Sequence, residues 1–344
     1  MSPVPLPTVT REVRLLARPE GLPEARHFTV TETPLPAVGP GQVLVRNRYF
    51  LVFPGLRTLI GGETEGVPLP QLRPGGTLFG PAVAEVLAAP ADGPLRPGDL
   101  VSHLAGWREH AVLDAADCAP LDPALPDPVA QLSSGEAAYG ALTRLAEVRP
   151  GDTVLVTGAA GGVGSLAGQI ARLLGAGPVI GTTSSAAKAD RLTAELGYDT
   201  VVLRGDGRSF AERLAEAAPD GIDVLVDTVG GEQLAAAVRL ARPGARFALV
   251  GAVSGQLAAD RAGGGSAPVT LDSFRLVVQG VSVRGYRGGD HPGVAGEWTE
   301  RFGGWLRSGE ITFPHVVLPG IERAPGALRE LIDGHHLGAV LVGV

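Results

Sequence analysis

Apolar and polar positions follow two different patterns along this chain. Up to about residue 130, short stretches of alternating apolar residues are bounded by Gly and Pro. REVRLLARPEG, HFTVTETPLP, GQVLVRNRYFLV, PAVAEVLAA, PGDLVSHLAG and REHAVLDA are of this kind and read as strands between turns. They predict a β-rich, barrel-like front. Beyond that point VAQLSSGEAAYGALTRLAEV carries apolar residues at helical spacing. DTVLVTG then reads as a buried parallel strand, and SLAGQIARLLGA as a helix ended by Gly175 and Gly177. Strand-like PVIGTT, DTVVLR, IDVLVDTVG and ARFALVG alternate with helix-like AKADRLTAELG, RSFAERLAEAA and EQLAAAVRLA. That alternation predicts a doubly wound parallel sheet, with VSVRGYR (Val281 to Arg287) as its last strand. A helix in GVAGEWTERFGGWLRSG and a strand pair, ITFPHVVL and GAVLVGV, close the chain.

The passage VLVTGAAGGVGSLAGQIARLLGA places strand, glycine turn and helix in the order a dinucleotide site requires. Glycines let the backbone approach a pyrophosphate, and a helix N-terminus supplies free N–H groups. Ala159 stands where the fingerprint's first glycine would be, followed by Gly161 and Gly164. An NAD site usually ends its second strand with Asp or Glu, which binds the ribose hydroxyls. PVIGTTSSAAK has no acid there; it has Thr182, Thr183, Ser184 and Ser185, then Lys188. Hydroxyls and a cation suit a 2′-phosphate, which an acid would repel.

Composition sharpens this point. Of the 29 Lys plus Arg residues, Lys188 is the only lysine. It reads either as a clamp for the 2′-phosphate of NADP(H) or as a solvated lysine on a helix's first turn, where a cation is mildly disfavoured. Arg191 and Arg204 are candidate helpers. The net charge of −7, with no basic cluster, argues against a nucleic-acid partner. No run approaches the roughly 20 apolar residues of a membrane helix. No basic region followed by an apolar run opens the chain, so a cytoplasmic protein is expected. A single cysteine, Cys118, excludes an internal disulfide and a Cys-rich structural zinc site.

The order β-rich front, doubly wound middle and returning strands resembles the medium-chain dehydrogenase/reductase superfamily. NRYFLVFPGLR, GWREHAVLD, PGDTVLVTGAAGGVGSLAGQIARLLG, AAKADRLTAELGYD, DGIDVLVDTVGGEQL, LVGAVS and GHHLGAVLVGV carry the likeness. They look most like the zinc-independent branch of prostaglandin reductases, leukotriene 12-hydroxydehydrogenases and NADPH-dependent alkenal/enone reductases. The resemblance implies an α/β fold of two domains. A GroES-like β-rich catalytic domain would take residues 1–130 and 291–344, and a Rossmann cofactor domain residues 131–290.

By the same resemblance Ala160, Gly161, Gly162, Val163 and Gly164 would lie on the pyrophosphate. Lys188 would lie on the 2′-phosphate, for which the hydroxyls of Thr183 and Ser184 and the cation of Arg204 are candidates by their chemistry. Thr228, Gly251, Ala252, Val253, Ser254 and Tyr286 would follow the ribose and nicotinamide. His336 stands where the family has a cofactor-side asparagine. Phe53, Gly55, Leu56 and Gln256 match substrate-pocket positions; Gly55 replaces a family tyrosine, which would open the pocket. A family threonine near the nicotinamide appears as Ala137. No zinc is expected, since His103, His110 and Cys118 are too few and wrongly placed for a catalytic ligand set.

The family chemistry moves hydride from the nicotinamide to the β-carbon of an α,β-unsaturated carbonyl, with a proton from water or a tyrosine. Tyr286 and Tyr49 are the candidate tyrosines, though each also reads as an ordinary packed aromatic. Tyr198 reads as surface or packing. Glu136 reads as a cap-region anion or a pocket acid. GQLAADRAGGGSAPVT reads as a flap over the cleft or a surface insertion. A quinone oxidoreductase, or a non-redox small-molecule binder on the same scaffold, remains open beside the enone reductase. The last strand of the cofactor sheet would join a homodimer.

Overall fold

The alternating front of the chain forms strands as its pattern requires. In the computed structural model, which describes residues 5–62, 69–205, 207–257 and 266–344, β1 (Val9–Leu15) pairs antiparallel with β2 (Phe28–Pro34). Around β3 (Gln42–Val52) gather β4 (Ala82–Ala88), β5 (Leu100–His103), β6 (His110–Asp114) and β7 (Ala119–Pro120). Register shifts against β4 interrupt β3 between Leu44 and Val45 and again between Asn47 and Tyr49. Such irregularities re-aim side chains. Val43 and Val45 accordingly enter one core with Cys118, while Phe50 and Val52 enter another with Trp107.

The middle of the chain gives β8 (Val154–Val156), β9 (Val179–Thr183), β10 (Thr200–Leu203), β11 (Ile222–Asp227), β12 (Ala241–Leu249) and β13 (Ser282–Gly285). All pair in parallel, in the spatial order β10-β9-β8-β11-β12-β13. The order reverses at β8. A crevice therefore opens at the carboxyl ends of β8 and β11, where such sheets bind ligands.

The closing strands β14 (His315–Pro319) and β15 (Ala339–Gly343) return to the first sheet, β15 pairing antiparallel with β3. They lie parallel to each other because a helix, Ala324–Ile332, crosses between them. That helix is not among the elements expected from the sequence pattern. The region read as one helix from 129 to 148 is three pieces: a 3₁₀ turn Pro128–Leu132, an α-turn Gly135–Gly140 and a π-turn Ala141–Leu145. The helix Val294–Ser308 buries Val294, Trp298 and Phe302 in the core of β8 and the helix Gly164–Leu173. It thus packs with the cofactor sheet, although the expected boundary at residue 291 assigns it to the catalytic domain.

His103, at the end of β5, is buried; its Nδ1 accepts from the Ala105 N–H at 3.0 Å. Burial, aided by Arg108, pushes its pKa down to about 4 from 6.5. The unfolded chain therefore takes up a proton below pH 6.5 that the fold refuses until about pH 4. Stability from this residue is complete above 6.5 and drains away as pH falls towards 4. The expected loss between pH 7 and pH 5 is about 2 kcal/mol. Urea unfolding of wild type and His103→Gln at both pH values checks it, because the variant's pH dependence should be smaller by that amount.

Candidate active site

From the end of β8 the chain runs through Thr157 and Gly158 into the helix Gly164–Leu173. Gly158 turns the backbone with φ +62. A Cβ on Gly164 would stand 2.3 Å from the Gly158 oxygen and 2.6 Å from the Ala159 Cα, so the helix start rests directly on the loop. The N–H groups of Gly162 and Val163 have no hydrogen-bond partner among the described residues. They lie at the positive end of the helix, available to a pyrophosphate.

Tyr198 supports this arrangement from behind. It is buried rather than on the surface, and its hydroxyl donates to the Gly164 carbonyl at 2.5 Å. Its ring fills the space at Gly168 and Gly181. Desolvation by burial raises its pKa, so the phenol stays a neutral donor.

The carboxyl end of β9 carries no acid, and its hydroxyls divide in role. Thr182 is fully buried; its Oγ1 accepts from the Gly158 N–H at 3.0 Å and donates to Gln233 Oε1 at 2.7 Å. It therefore props the loop and does not face a ligand. Thr183 is nearly buried, with Oγ1 accepting from the Ser185 N–H at 3.4 Å. Ser185 caps the helix Ala186–Glu195 by accepting from the Lys188 N–H, which leaves Ser184 as the exposed hydroxyl. Arg191 is held by Glu195 at 2.9 Å, whereas Arg204 is exposed beside the end of β10.

Lys188 reaches across to the catalytic part of the chain. Its Nζ donates to the carbonyls of Gly334 and His336, the latter at 2.6 Å. Burial lowers its pKa. The His336 ring turns instead to Glu330, Nε2 to Oε2 at 2.8 Å. His336 therefore meets the cofactor side through its backbone. Two residues on, the Gly338 N–H donates to the Ala160 carbonyl at 2.9 Å.

At the crevice end, Asp227 is a hub that sequence reasoning missed. It is buried, and its Oδ1 accepts from Thr157 Oγ1 at 2.5 Å, the Val229 N–H at 3.0 Å and the Gly230 N–H at 2.9 Å. Thr157 Oγ1 accepts from the Thr228 N–H, and the Thr228 hydroxyl donates to the Thr157 carbonyl at 2.8 Å. Thr228, Gly158 and Gly251 thereby converge, since a Cβ on either glycine would lie within 3.1 Å of Thr228. Ala252 precedes a short helix, Val253–Gln256, that carries Ser254 beside Gly230 and Gly231 and leaves Gln256 half-buried. Ser134, also unmarked in the sequence reading, faces Gly162 from the other side. Half of the expected flap, residues 258–265, lies outside the described residues.

The substrate-side expectations change more. Leu56 is fully buried in the core with Phe50 and Trp107, so it lines no open pocket. Phe53 lies 3.2 Å from where a Cβ on Gly55 would be. The phenylalanine thus takes up room that the loss of a tyrosine at Gly55 was expected to open. Tyr49 packs its ring on the β-sheet face of Val83 and Leu341. The Tyr286 hydroxyl is shut from solvent against Gly140, with no hydrogen-bond partner among the described residues. Its ring stacks on His291, and burial, with Glu136 nearby, raises its pKa. A hydroxyl enclosed in this way does not face an open cleft, which argues against the proton-donor role expected for Tyr286. Removing an orphaned buried hydroxyl should stabilise the fold. Tyr286→Phe is expected to gain about 1 kcal/mol in chemical unfolding and to leave kcat within about twofold.

The zinc ligands of related folds have no counterpart grouping among the described residues. His103 uses Nδ1 on Ala105, and Cys118 sits in the apolar core of Val43 and Val86, where burial lifts its thiol pKa to about 11. This donor set does not fit a zinc centre.

Residues 162–302 match the zinc-binding dehydrogenase family and residues 11–121 the N-terminal domain of oxidoreductases. Prostaglandin reductase 1 of Mus musculus is 30% identical over 330 residues, 94% of this chain and 95% of that one. The NADPH-dependent curcumin reductase of Escherichia coli is 29% identical over 338 residues, 96% of this chain and 95% of that one. The crystal structure of CurA from Vibrio vulnificus in complex with NADPH superposes with a TM-score of 0.86 at 28% identity, covering 97% of this chain and 99% of that one. This chain belongs to the medium-chain dehydrogenase/reductase superfamily, in its branch of NADPH-dependent alkenal and enone reductases.

Proposed function

We propose that the chain is an NADPH-dependent reductase of the C=C bond in α,β-unsaturated carbonyls, working without zinc. The observation that carries the cofactor choice is the end of β9: no carboxylate stands there, and the single lysine follows on the first turn of the helix Ala186–Glu195. Gly162 and Val163 hold the pyrophosphate with backbone N–H groups, and Lys188 with Ser184 holds the 2′-phosphate. Thr228 and Gly251 to Ser254 bound the nicotinamide end. Bound NADPH supplies the hydride. The chain's own work is to orient enone and cofactor and to exclude water from the crevice, which needs no compact catalytic motif. The α-carbon proton comes from water, since the hydroxyl of Tyr286 is enclosed and the ring of Tyr49 is packed. Relatives named as curcumin, prostaglandin and 2-alkenal reductases support the substrate class.

Steady-state NADPH oxidation across enones, enals and quinones tests the reading. Enone turnover with NADPH preferred over NADH is expected. Turnover of quinones alone would assign the chain to quinone chemistry, and ligand binding without oxidation would assign it a non-redox role.

We place the protein in the cytoplasm as a homodimer. Among the described residues β13 is the outermost, unpaired edge of the cofactor sheet, and the helix Ser273–Gln279 before it exposes Phe274, Val277 and Val278 to 76%, 79% and 61%. Apolar side chains exposed next to an open strand edge suit a second copy. Sedimentation is expected to give a dimer for wild type and a monomer for Phe274→Asp combined with Val277→Asp.

A further inference from the structure

Lys188 does more in this structure than wait for a phosphate. Its helix belongs to the cofactor sheet, yet its ammonium is spent on the carbonyls of Gly334 and His336 in the catalytic part. Those carbonyls lie just past the C-terminal end of the helix Ala324–Ile332, the negative end of its dipole, where a cation is favoured. The same short segment then reaches the glycine loop, where Gly338 bridges Gly161 and donates to Ala160. Residues 334–338 are thus tied at one end to the candidate 2′-phosphate lysine and at the other to the pyrophosphate loop. An ammonium has three donors, and a phosphate dianion is a stronger partner for them than a neutral carbonyl.

We propose that Lys188 is a latch: without a 2′-phosphate it ties segment 334–336 to the cofactor domain, and a 2′-phosphate draws its ammonium away and frees the segment. The proposal rests on the reading of Lys188 as the 2′-phosphate site. It adds that NADPH, and not NADH, loosens the contact between the two parts of the chain. Cofactor selection and domain movement then share one side chain.

Hydrogen exchange at the protected amides of Asp333, Gly334 and His335 reports the segment, since these donate to Arg329, Leu331 and Glu330. The probes are 2′,5′-ADP and 5′-ADP, with their affinities measured by calorimetry on the full chain. On wild type, saturating 2′,5′-ADP is expected to speed exchange there about tenfold, and 5′-ADP to leave it unchanged. Lys188→Met is expected to exchange fast without ligand and to show no further change on adding either nucleotide. If 2′,5′-ADP binds tightly through Lys188 while exchange stays the same or slows, the phosphate site stands and the latch is overturned. If 2′,5′-ADP binds no better than 5′-ADP, the phosphate reading falls and the latch with it. If exchange in Lys188→Met matches unliganded wild type, Lys188 does not hold the segment and the latch is again overturned.

Discussion

Gly164→Ala is expected to weaken NADPH binding about 100-fold and to cost about 3 kcal/mol of stability. The added methyl would sit 2.3 Å from the Gly158 oxygen, 2.6 Å from the Ala159 Cα and 2.9 Å from the Ala159 carbonyl carbon. All three are backbone atoms, so no side chain can swing aside to make room. The helix Gly164–Leu173 must move off the loop, or the loop must move off the helix. Either movement displaces the N–H groups of Gly162 and Val163. It also strains the bond from the Tyr198 hydroxyl to the Gly164 carbonyl, which lies on the buried side. Thermal unfolding and calorimetric titration with NADPH separate the two effects. A variant as stable as wild type that binds NADPH normally would show that the loop does not hold the pyrophosphate.

Asp227→Ala is the second large effect, expected at about 4 kcal/mol of lost stability. The carboxylate satisfies Thr157 Oγ1 and the N–H groups of Val229 and Gly230 at the end of β11, where Thr157 and Gly230 are buried and Val229 is half-buried. Removing it strands all three donors without water to replace it. Asp227→Asn preserves the shape but turns part of the acceptor into a donor facing N–H groups, so it should lose about half as much. The turn carrying Thr228 is set by this carboxylate, so NADPH affinity should fall about tenfold in the asparagine variant as well. Urea unfolding and NADPH titration of both variants check the ranking. An alanine variant that loses no stability would mean the hub is not holding the turn.

The sequence made the fold legible wherever pattern and turn chemistry agreed. Buried three- to six-residue runs such as VLV in β8 and IDVLVD in β11 could only be interior strands, and glycines after helices marked their ends. The helix Ala324–Ile332 is hard to read in sequence because Pro325 and Gly326 at its start are turn residues, and its apolar Leu328, Leu331 and Ile332 lie between two strands. The aromatics of GEWTERFGGW do not reveal in sequence which core they enter; Trp298 and Phe302 stack on each other in the core of β8 and the helix Gly164–Leu173.

At the site, the glycine loop and the lysine were readable from spacing and charge. Residues that position the loop were not. Tyr198 lies 34 residues from its partner Gly164, and Asp227 lies 70 from Thr157, so only the parallel sheet brings them together. An acid at the carboxyl end of a buried strand, followed by Thr-Val-Gly-Gly, was the one available signal for Asp227. Thr182 and Ser184 could not be told apart in sequence, because which hydroxyl faces the ligand depends on where β9 ends. The surroundings of positions 55 and 56 depend on the fold in the same way: Phe53 lies over the glycine, and the short helix Leu56–Gly61 turns the leucine into the core.

Label transfer tests the central claim most directly. The purified protein would be given a simple enone and NADPH dideuterated at C4 of the nicotinamide, and the product read by NMR. The account predicts a saturated ketone carrying one deuterium on the former β-carbon and none on the carbonyl carbon. An allylic alcohol with deuterium on the carbonyl carbon would contradict it, as would unlabelled enone recovered beside unoxidised NADPH.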